Sequence, residues 1–221
     1  MLMLDNLKLK QKFKKFRPTL YKWSAITIVI VSAFIYGTFK PNAHVVHKIV
    51  NKVEANIVET AHSFGLHEPA FEYNNDETFV HALKTCIDYI NFKTAPSKRV
   101  PSAIIIGMAG IESGWGTSRF TREGNNLFGI RTWDPKTPQL KPLDLPDADF
   151  GVKIFNTKCA SVQEMIRLLN EHHAYKDFRE ERITQDGDWN YRSLLETLDA
   201  WSTNPEYAGI VFDAIITRQL P

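Results

Sequence analysis

The stretch SAIIIGMAGIES, residues 102–113, decides the fold of this chain. It is apolar on nearly every side, so it predicts a helix buried at the centre of a domain. Glu112 is the acidic exception in its last turn, and no lysine or arginine lies within six residues of it. Burial without a local cation favours a neutral carboxylic acid. The pattern therefore predicts a proton donor, although a glutamate that points to water at a helix end is the simpler alternative.

The sequence around this helix predicts a mainly helical domain with a small β-element. Residues 76–93 have one apolar side and predict a helix before the central one. The stretches LFGIRTW and DFGVKIF predict two short strands, and the 15 residues between them hold four prolines and predict a loop. Further helices are predicted at residues 161–175, 178–182, 191–201 and 206–220. The predicted fold class is α+β, mainly α.

The N-terminus combines a basic tail with an uncharged apolar segment. Residues 1–22 contain seven of the 27 basic and one of the 25 acidic residues, and the 17 residues 23–39 carry no charge. This length is near the lower limit for a transmembrane helix, and the positive-inside rule puts the tail in the cytoplasm. We expect a single-pass protein of the cytoplasmic membrane with its main domain outside. A cleaved signal peptide is the alternative, although its cleavage site near Ala43 is poor.

The chain therefore divides into four predicted segments: a basic cytoplasmic tail at 1–22, a transmembrane anchor at 23–39, a stem at 40–75 and a globular domain at 76–221. The stem contains a helical apolar pattern over residues 44–65. After residue 22 there are 20 basic and 24 acidic residues. This balance argues against a main domain that binds nucleic acid.

Two cysteines, Cys86 and Cys159, lie in the predicted exported part. In an oxidising compartment they are able to form a disulfide. The alternative is that they are two small buried hydrophobic side chains. The spacing does not decide between the two, and we favour the unpaired state.

Two short motifs follow the predicted proton donor. ESGWG contains Trp115, which predicts either core packing or a wall on which a sugar stacks, and its glycines let a ligand approach. GNNLFG contributes the amides of Asn125 and Asn126, which suit hydroxyl and acetamido groups but are also common turn residues. We take Trp115, Asn125, Asn126 and the neighbouring Phe128 as candidate substrate-binding residues.

The segments ESGWGTSRF and EGNNLFGI together resemble the glucosaminidase domain of bacterial cell-wall hydrolases, including the flagellar muramidase-like and the Bax-type proteins. The resemblance covers residues 76–220 and implies a lysozyme-like fold whose small β-lobe begins at NNLFGI. It implies that Glu112 is the catalytic acid. Through the later segment NPEYA it also implies that Tyr207 lines the active site, whereas a tyrosine packed between helices is the alternative.

The second catalytic group is not identified by this resemblance. Many relatives carry a second acid in a Thr-Glu-Tyr-like segment of the β-lobe, and no such segment occurs here. The loop offers four aspartates instead: Asp134, Asp144, Asp147 and Asp149. We take Asp149 as the candidate second catalytic residue. If none of them lies near Glu112, the 2-acetamido group of the substrate is the expected nucleophile.

The resemblance implies a peptidoglycan hydrolase, an endo-β-N-acetylglucosaminidase that cleaves cell-wall glycan strands with Glu112 as general acid. Its catalytic domain would face the periplasm or the wall. The implied reaction needs no metal or organic cofactor. The adjacent His172 and His173 are not expected to bind a metal, because neighbouring side chains point apart on a helix and no partner lies at ligand spacing. Two alternatives stay open: a lytic transglycosylase on the same fold, and a non-catalytic peptidoglycan-binding protein.

Overall fold

The computed structural model describes residues 21–34, 36, 43–63, 66–185 and 187–221. The chain divides into two compact units between Val53 and Glu54. Residues 21–34 are helical and form α1, and α2 spans Ala43–Ser63. The helix predicted at residues 44–65 is therefore confirmed.

The predicted transmembrane anchor coincides in part with α1. No helix within the described residues is long and apolar enough to cross a membrane. Residues 35 and 37–39 of the predicted anchor, and residues 1–20 of the predicted tail, lie outside the described residues. The large apolar side chains of α1 are exposed, namely Trp23, Ile26, Ile28, Val29, Ile30, Val31 and Phe34.

The second unit is mainly helical and contains a small three-stranded sheet, in agreement with the predicted fold class. Its helices after the stem are α3 (Asp76–Lys93), α4 (Ser102–Ser113), α5 (Arg119–Gly124), α6 (Lys158–Glu171), α7 (Lys176–Thr184), α8 (Tyr191–Glu196) and α9 (Tyr207–Thr217). Two single 3-10 turns occur at Pro96–Lys98 and His173–Tyr175. The strands are β1 (Arg131–Thr132), β2 (Gln139–Leu140) and β3 (Gly151–Lys153).

Helix α4 lies at the centre of this unit, as its composition predicted. Every residue from Ala103 to Gly110 is buried. Helix α9 packs directly on it at Gly107, where an added Cβ atom would lie 3.0 Å from Val211 and 3.1 Å from Ile215. Glycine at this position therefore lets the two helices approach closely, and this contact brings the N-terminal half of α9 towards the end of α4.

Helices α3 and α6 are joined by a disulfide. Cys86 and Cys159 are bonded, with their Cα atoms 5.7 Å apart, so the preference for unpaired cysteines is wrong. Both side chains are buried in the hydrophobic core, where the sequence alone could not distinguish a bonded pair from two thiols. The bond closes a loop of 73 residues. Closing a loop of that size restricts the unfolded chain and stabilises the fold by about 4 kcal/mol.

The segment between α5 and α6, residues 125–157, forms the β-lobe. Its strand order is β1-β3-β2, and both pairs are antiparallel. Strand β2 lies in the stretch that the prolines predicted to be a loop, because two residues are too short to show an alternating pattern. Helix α5 was also not predicted; it is a single short helix whose first turn is capped by Ser118, which accepts a hydrogen bond from the Thr121 amide.

Candidate active site

A left-handed turn directly after α4 determines the position of Glu112. Gly114, Trp115 and Gly116 all have positive φ, at 56°, 55° and 86°. Glycine adopts this conformation without steric cost, so the two glycines permit the sharp reversal. The turn is closed by hydrogen bonds from the Trp115 amide to the Gly110 carbonyl (2.8 Å) and from the Gly116 amide to the Ser113 hydroxyl (2.8 Å). Glu112 thus occupies the last turn of a fixed helix and is only partly buried.

The side chain of Trp115 packs into the body of the domain. An added Cβ at Gly110 would lie 2.6 Å from its ring, and Phe79 meets it edge to face at 6.4 Å between centroids. The Arg218 guanidinium covers the ring at 3.6 Å from its centroid. Trp115 does not line the cleft described below, so of its two predicted roles the structure supports core packing.

The side chain of Glu112 lines a cleft with a volume of about 870 Å³. Residues from the ends of several helices and from the β-lobe line it. Its aromatic lining consists of Phe120, Phe128, Trp133, Phe150, His172, Tyr175 and Trp201. Its charged lining consists of Glu112, Arg131, Lys153 and Glu164. Aromatic surfaces combined with a few polar groups are typical of a ligand-binding cleft.

Trp201 is a contact of Glu112 that the sequence did not single out. Its indole Nε1–H donates a hydrogen bond of 2.9 Å to Oε1 of Glu112. Trp201 belongs to the turn between α8 and α9 and lines the cleft. The one sequence signal was its position three residues before the NPEYA segment, which has no bearing on a tertiary contact across 89 residues.

Tyr207 lies buried beside the same carboxylate, with 7% of its surface exposed. Its hydroxyl makes no hydrogen bond of normal geometry with any described residue, although it lies within electrostatic reach of Glu112. Burial raises the pKa of Tyr207, and the charge of Glu112 raises it further, so the hydroxyl is neutral. Tyr207 is not among the cleft-lining residues, so its ring packs between helices while its hydroxyl neighbours the predicted acid.

The amides of Asn125 and Asn126 support the β-lobe and do not face the cleft. Asn126 is buried; its Nδ2 donates to the carbonyls of Ile130 and Lys153, and its Oδ1 accepts from the Phe128 and Ile130 amides. Asn125 has a positive φ of 52°, and its Nδ2 donates to the Phe155 carbonyl. The structure therefore supports the turn role for both residues, not the predicted contact with sugar.

Phe128 is the residue of this segment that the structure does bring to the cleft. Its ring is nearly fully buried in the hydrophobic core and lines the cavity at the same time. The Asn126 side chain holds the backbone on both sides of it, since Oδ1 accepts from the amides of Phe128 and Ile130 at 3.2 and 3.1 Å. The NNLFGI motif thus contributes an apolar wall through Phe128 and fixes it through Asn126.

The predicted second acid does not meet Glu112 in the cleft. Asp149 is exposed and does not line the cavity, and neither does any other aspartate of the loop. The second carboxylate of the described lining is that of Glu164 on α6. It forms ion pairs with Arg167 at 2.7 Å and Lys153 at 3.3 Å. The hydrogen bond from Arg167 is the main reason that the pKa of Glu164 is lowered, with a further contribution from Lys153.

The two adjacent histidines lie closer together than expected. His172 caps the end of α6 and His173 begins a 3-10 turn, so their ring centroids are 4.4 Å apart and do not diverge. The expectation that they point apart on a helix is therefore wrong. Nδ1 of His172 accepts a hydrogen bond from the Ala174 amide. Within the described residues, no cluster of three or more histidine, cysteine or acidic side chains has the arrangement of a metal site.

Known proteins match this chain in both sequence and fold. Residues 92–219 match the model of the glucosaminidase family, described as mannosyl-glycoprotein endo-beta-N-acetylglucosaminidase. The chain is 31% identical over 107 residues to Protein bax of Escherichia coli (strain K12), across 47% of this chain and 37% of that protein. The chain therefore aligns with little more than a third of the length of this curated relative.

The fold has a counterpart among solved structures. The catalytic domain of the autolysin Auto from Listeria monocytogenes superposes with a TM-score of 0.51 at 19% identity. The superposition covers 73% of this chain and 94% of that domain. At this identity the likeness shows the fold, and it agrees with the lysozyme-like arrangement that the motifs implied.

Proposed function

Because the chain belongs to the glucosaminidase family, we propose that it is a peptidoglycan hydrolase that cleaves cell-wall glycan strands as an endo-β-N-acetylglucosaminidase. The observation that carries the proposal is the difference between the side-chain partners of the two cleft carboxylates. Of the two within the described lining, Glu164 is held by two cations, whereas Glu112 contacts the neutral indole of Trp201. The carboxyl group without a cationic partner is the better candidate for the general acid, because no neighbouring positive charge stabilises its ionised form.

Glu112 acts as the general acid in this proposal. It gives its proton to the glycosidic oxygen as the bond to the anomeric carbon breaks, so that the leaving sugar departs as a neutral alcohol. The resulting carboxylate keeps the Trp201 hydrogen bond. In the second step it takes a proton from the attacking water, which returns Glu112 to its starting state.

The 2-acetamido group of the substrate is the proposed nucleophile. Its carbonyl oxygen attacks the anomeric carbon to form a cyclic oxazolinium ion, which water then opens with net retention of configuration. Two observations support this route over a protein nucleophile. Asp149 is exposed outside the cleft lining, and the carboxylate of Glu164 is occupied by its ion pairs.

The products of digestion test the proposal. Purified peptidoglycan is incubated with the full chain or with Glu112→Gln, and the soluble fragments are analysed by mass spectrometry. We expect Glu112-dependent fragments that end in reducing N-acetylglucosamine. Circular dichroism and thermal unfolding of the variant control for folding, and unchanged digestion by a folded Glu112→Gln would contradict the assignment of the acid.

A lytic transglycosylase is the second candidate function. The observation that favours it is that Glu112 is the one cleft carboxylate in the described lining without a cationic partner, since that reaction needs no second acid and closes the ring with a hydroxyl of the substrate itself. Its products end in 1,6-anhydro-muramic acid, so the fragment masses distinguish it from the hydrolase. If neither protein releases fragments while both bind sedimented peptidoglycan, a non-catalytic binding role replaces both enzyme proposals.

We also propose that the enzyme is held at the cytoplasmic membrane by its N-terminal segment, with the catalytic domain outside. The support comes from the seven basic residues that precede residue 23 and from the exposed apolar side chains of α1. The test is fractionation of cells that produce the full chain, followed by a carbonate wash and by protease treatment of spheroplasts. Release by carbonate, or protection of the catalytic domain in spheroplasts, would contradict this proposal.

A further inference from the structure

The indole of Trp201 donates a side-chain hydrogen bond to Glu112, and the Tyr207 hydroxyl lies beside the same carboxylate. The bond joins Nε1 to Oε1 at 2.9 Å, which is a normal length for such a contact. It links the turn before α9 to the last turn of α4. Trp201 therefore contacts the proposed catalytic acid. In this part of the chain the sequence connects only Tyr207, through the NPEYA segment, with the active site.

Hydrogen bonds hold the backbone on both sides of Trp201. Its amide donates to the Leu198 carbonyl at 2.9 Å, which closes the turn after α8. Farther along, the side chain of Asn204 accepts from the Glu206 amide at 3.0 Å, and the Asn204 carbonyl accepts from the Tyr207 amide at 3.1 Å. The indole is thus presented by a closed turn whose other end is anchored in α9.

We propose that Trp201 is a positioning residue for the catalytic acid: its indole N–H holds Oε1 of Glu112 and leaves Oε2 as the oxygen that delivers the proton. The inference rests on the proposed function of Glu112. It assigns to Trp201 a role other than that of a sugar-stacking wall, and it specifies which carboxyl oxygen faces the glycosidic bond.

The chemistry of indole suits this role. Its N–H is a donor only, so it cannot take the proton that Glu112 must deliver. It is neutral, so it fixes the direction of the carboxyl group without holding it permanently ionised, as Arg167 and Lys153 do for Glu164. After proton transfer the bond becomes charge-assisted and therefore stronger. The interaction thus gains strength as the reaction proceeds, which is the condition for accelerating it.

The other titratable groups near this contact are identifiable. Tyr207 on α9 neighbours the carboxylate as a neutral hydroxyl, and Tyr175 lies near Tyr207. Further groups line the same cleft, namely Arg131, Lys153, Glu164 and His172. A pH-dependent signal at the Trp201 indole is therefore assigned to Glu112 only if it disappears when that side chain alone is made non-titrating.

Nuclear magnetic resonance of the indole N–H groups tests the contact without any need for activity. The chain has five tryptophans, and Trp201 is assigned by the peak that is lost in Trp201→Phe, or in Trp201→Tyr if the first variant does not fold. In the full chain we expect the Trp201 indole resonance to move as Glu112 titrates. In Glu112→Gln this titration should vanish, while the other four resonances keep their behaviour. A Trp201 resonance whose chemical shift does not change with pH, or changes equally in Glu112→Gln, overturns the inference.

Kinetics separate positioning from sugar binding. We expect Trp201→Phe to lower kcat by roughly 10- to 100-fold, the effect of losing a hydrogen bond to a charged group, with little change in KM. Trp189→Phe is the matched control, since Trp189 is also half-buried against the core but lies outside the cleft lining.

The outcomes also distinguish the inference from the proposed function. A raised KM with unchanged kcat in Trp201→Phe would identify a stacking wall and overturn the positioning role. If the wild-type chain cleaves no glycan but its indole signal still depends on Glu112, the contact is right and the proposed function is wrong. If cleavage depends on Glu112 but the indole signal does not, the function stands and Trp201 has no positioning role.

Discussion

The helical residues and the β-lobe residues that line the cleft differ in how firmly they are held. Glu112 lies at the end of a helix whose core residues are fully buried, and a closed turn supplies its hydrogen-bond partner Trp201. The β-lobe contributes strands of two or three residues and exposed side chains such as Trp133. We therefore expect a division of labour in which the helical body fixes the reacting group and the exposed part of the β-lobe around Trp133 binds the substrate.

Of the changes that test this division, replacement of Glu112 should have the largest effect, and the effect should be on kcat. General acid catalysis contributes about 100- to 10,000-fold to the rate, so Glu112→Gln should lower kcat by that factor or more and leave KM nearly unchanged. Initial rates on soluble glycan fragments measure both parameters. A main effect on KM would mean that the helical side binds the substrate and does not carry out the chemistry.

Reduction of the disulfide should weaken the helical body. Cys86→Ser with Cys159→Ser is expected to lower the free energy of unfolding by about 4 kcal/mol, because the closed loop no longer restricts the unfolded chain. Urea denaturation with and without reductant measures the change. The double variant should be insensitive to reductant; an equal response in both proteins would show that reductant acts elsewhere.

The contact between α4 and α9 should be sensitive to a single methyl group. Gly107→Ala places a Cβ 3.0 Å from Val211, and such overpacking is expected to cost about 1–3 kcal/mol of stability. Gly209→Ala is the matched control, since nothing lies within 4 Å of the added atom. It should be neutral or stabilise α9 by up to about 1 kcal/mol, because alanine favours a helix over glycine. Thermal unfolding that shows equal losses would contradict this account of the close approach.

On the β-lobe, Trp133 should affect binding more than catalysis. It is 62% exposed, lines the cleft and lies 6.1 Å from the Phe150 ring between centroids. Removing an aromatic contact worth about 0.5–1.5 kcal/mol should raise KM by roughly 2- to 12-fold in Trp133→Ala, with kcat nearly unchanged. Steady-state kinetics measure both parameters. A loss in kcat as large as that of Glu112→Gln would contradict the proposed division between catalysis on the helical body and binding on the β-lobe.

The same division describes what the sequence could predict. The span of α3 followed from its one apolar side, whereas the burial of α4 followed from its apolar composition on nearly every side and its end from Gly114 and Gly116. The β-lobe was predicted less well, since a strand such as Gln139–Leu140 is too short to carry a period. Within the site, motifs pointed to Glu112 and Phe128. The contacts of Trp201 and the ion pairs of Glu164 join residues far apart in the chain, and a local pattern cannot contain them.

Glu164 should give the smallest effect, and its direction is specific. Its pKa is lowered in the folded state, mainly by the Arg167 hydrogen bond, so its ion pairs stabilise the fold above the pKa of an unfolded glutamate, about 4.3. That contribution is lost as pH falls through the lower folded value. Because Arg167 is half exposed, the contribution should be below about 1 kcal/mol. Glu164→Gln should therefore unfold slightly earlier than wild type near pH 7 and equally at pH 2–3.

Asp149→Asn is the matched acid-to-amide control for this experiment, because Asp149 is exposed and lies outside the cleft lining. It should leave both the unfolding temperature and kcat unchanged at every pH. If Asp149→Asn instead lowers kcat about as much as Glu112→Gln, a β-lobe carboxylate takes part in the chemistry. The substrate acetamido group would then lose its role, and the reacting groups would no longer be confined to the helical body. If Glu164→Gln alone has that effect, the ion-paired carboxylate on α6 is the second catalytic group. The substrate acetamido group would then lose its role, although the chemistry would stay on the helical body.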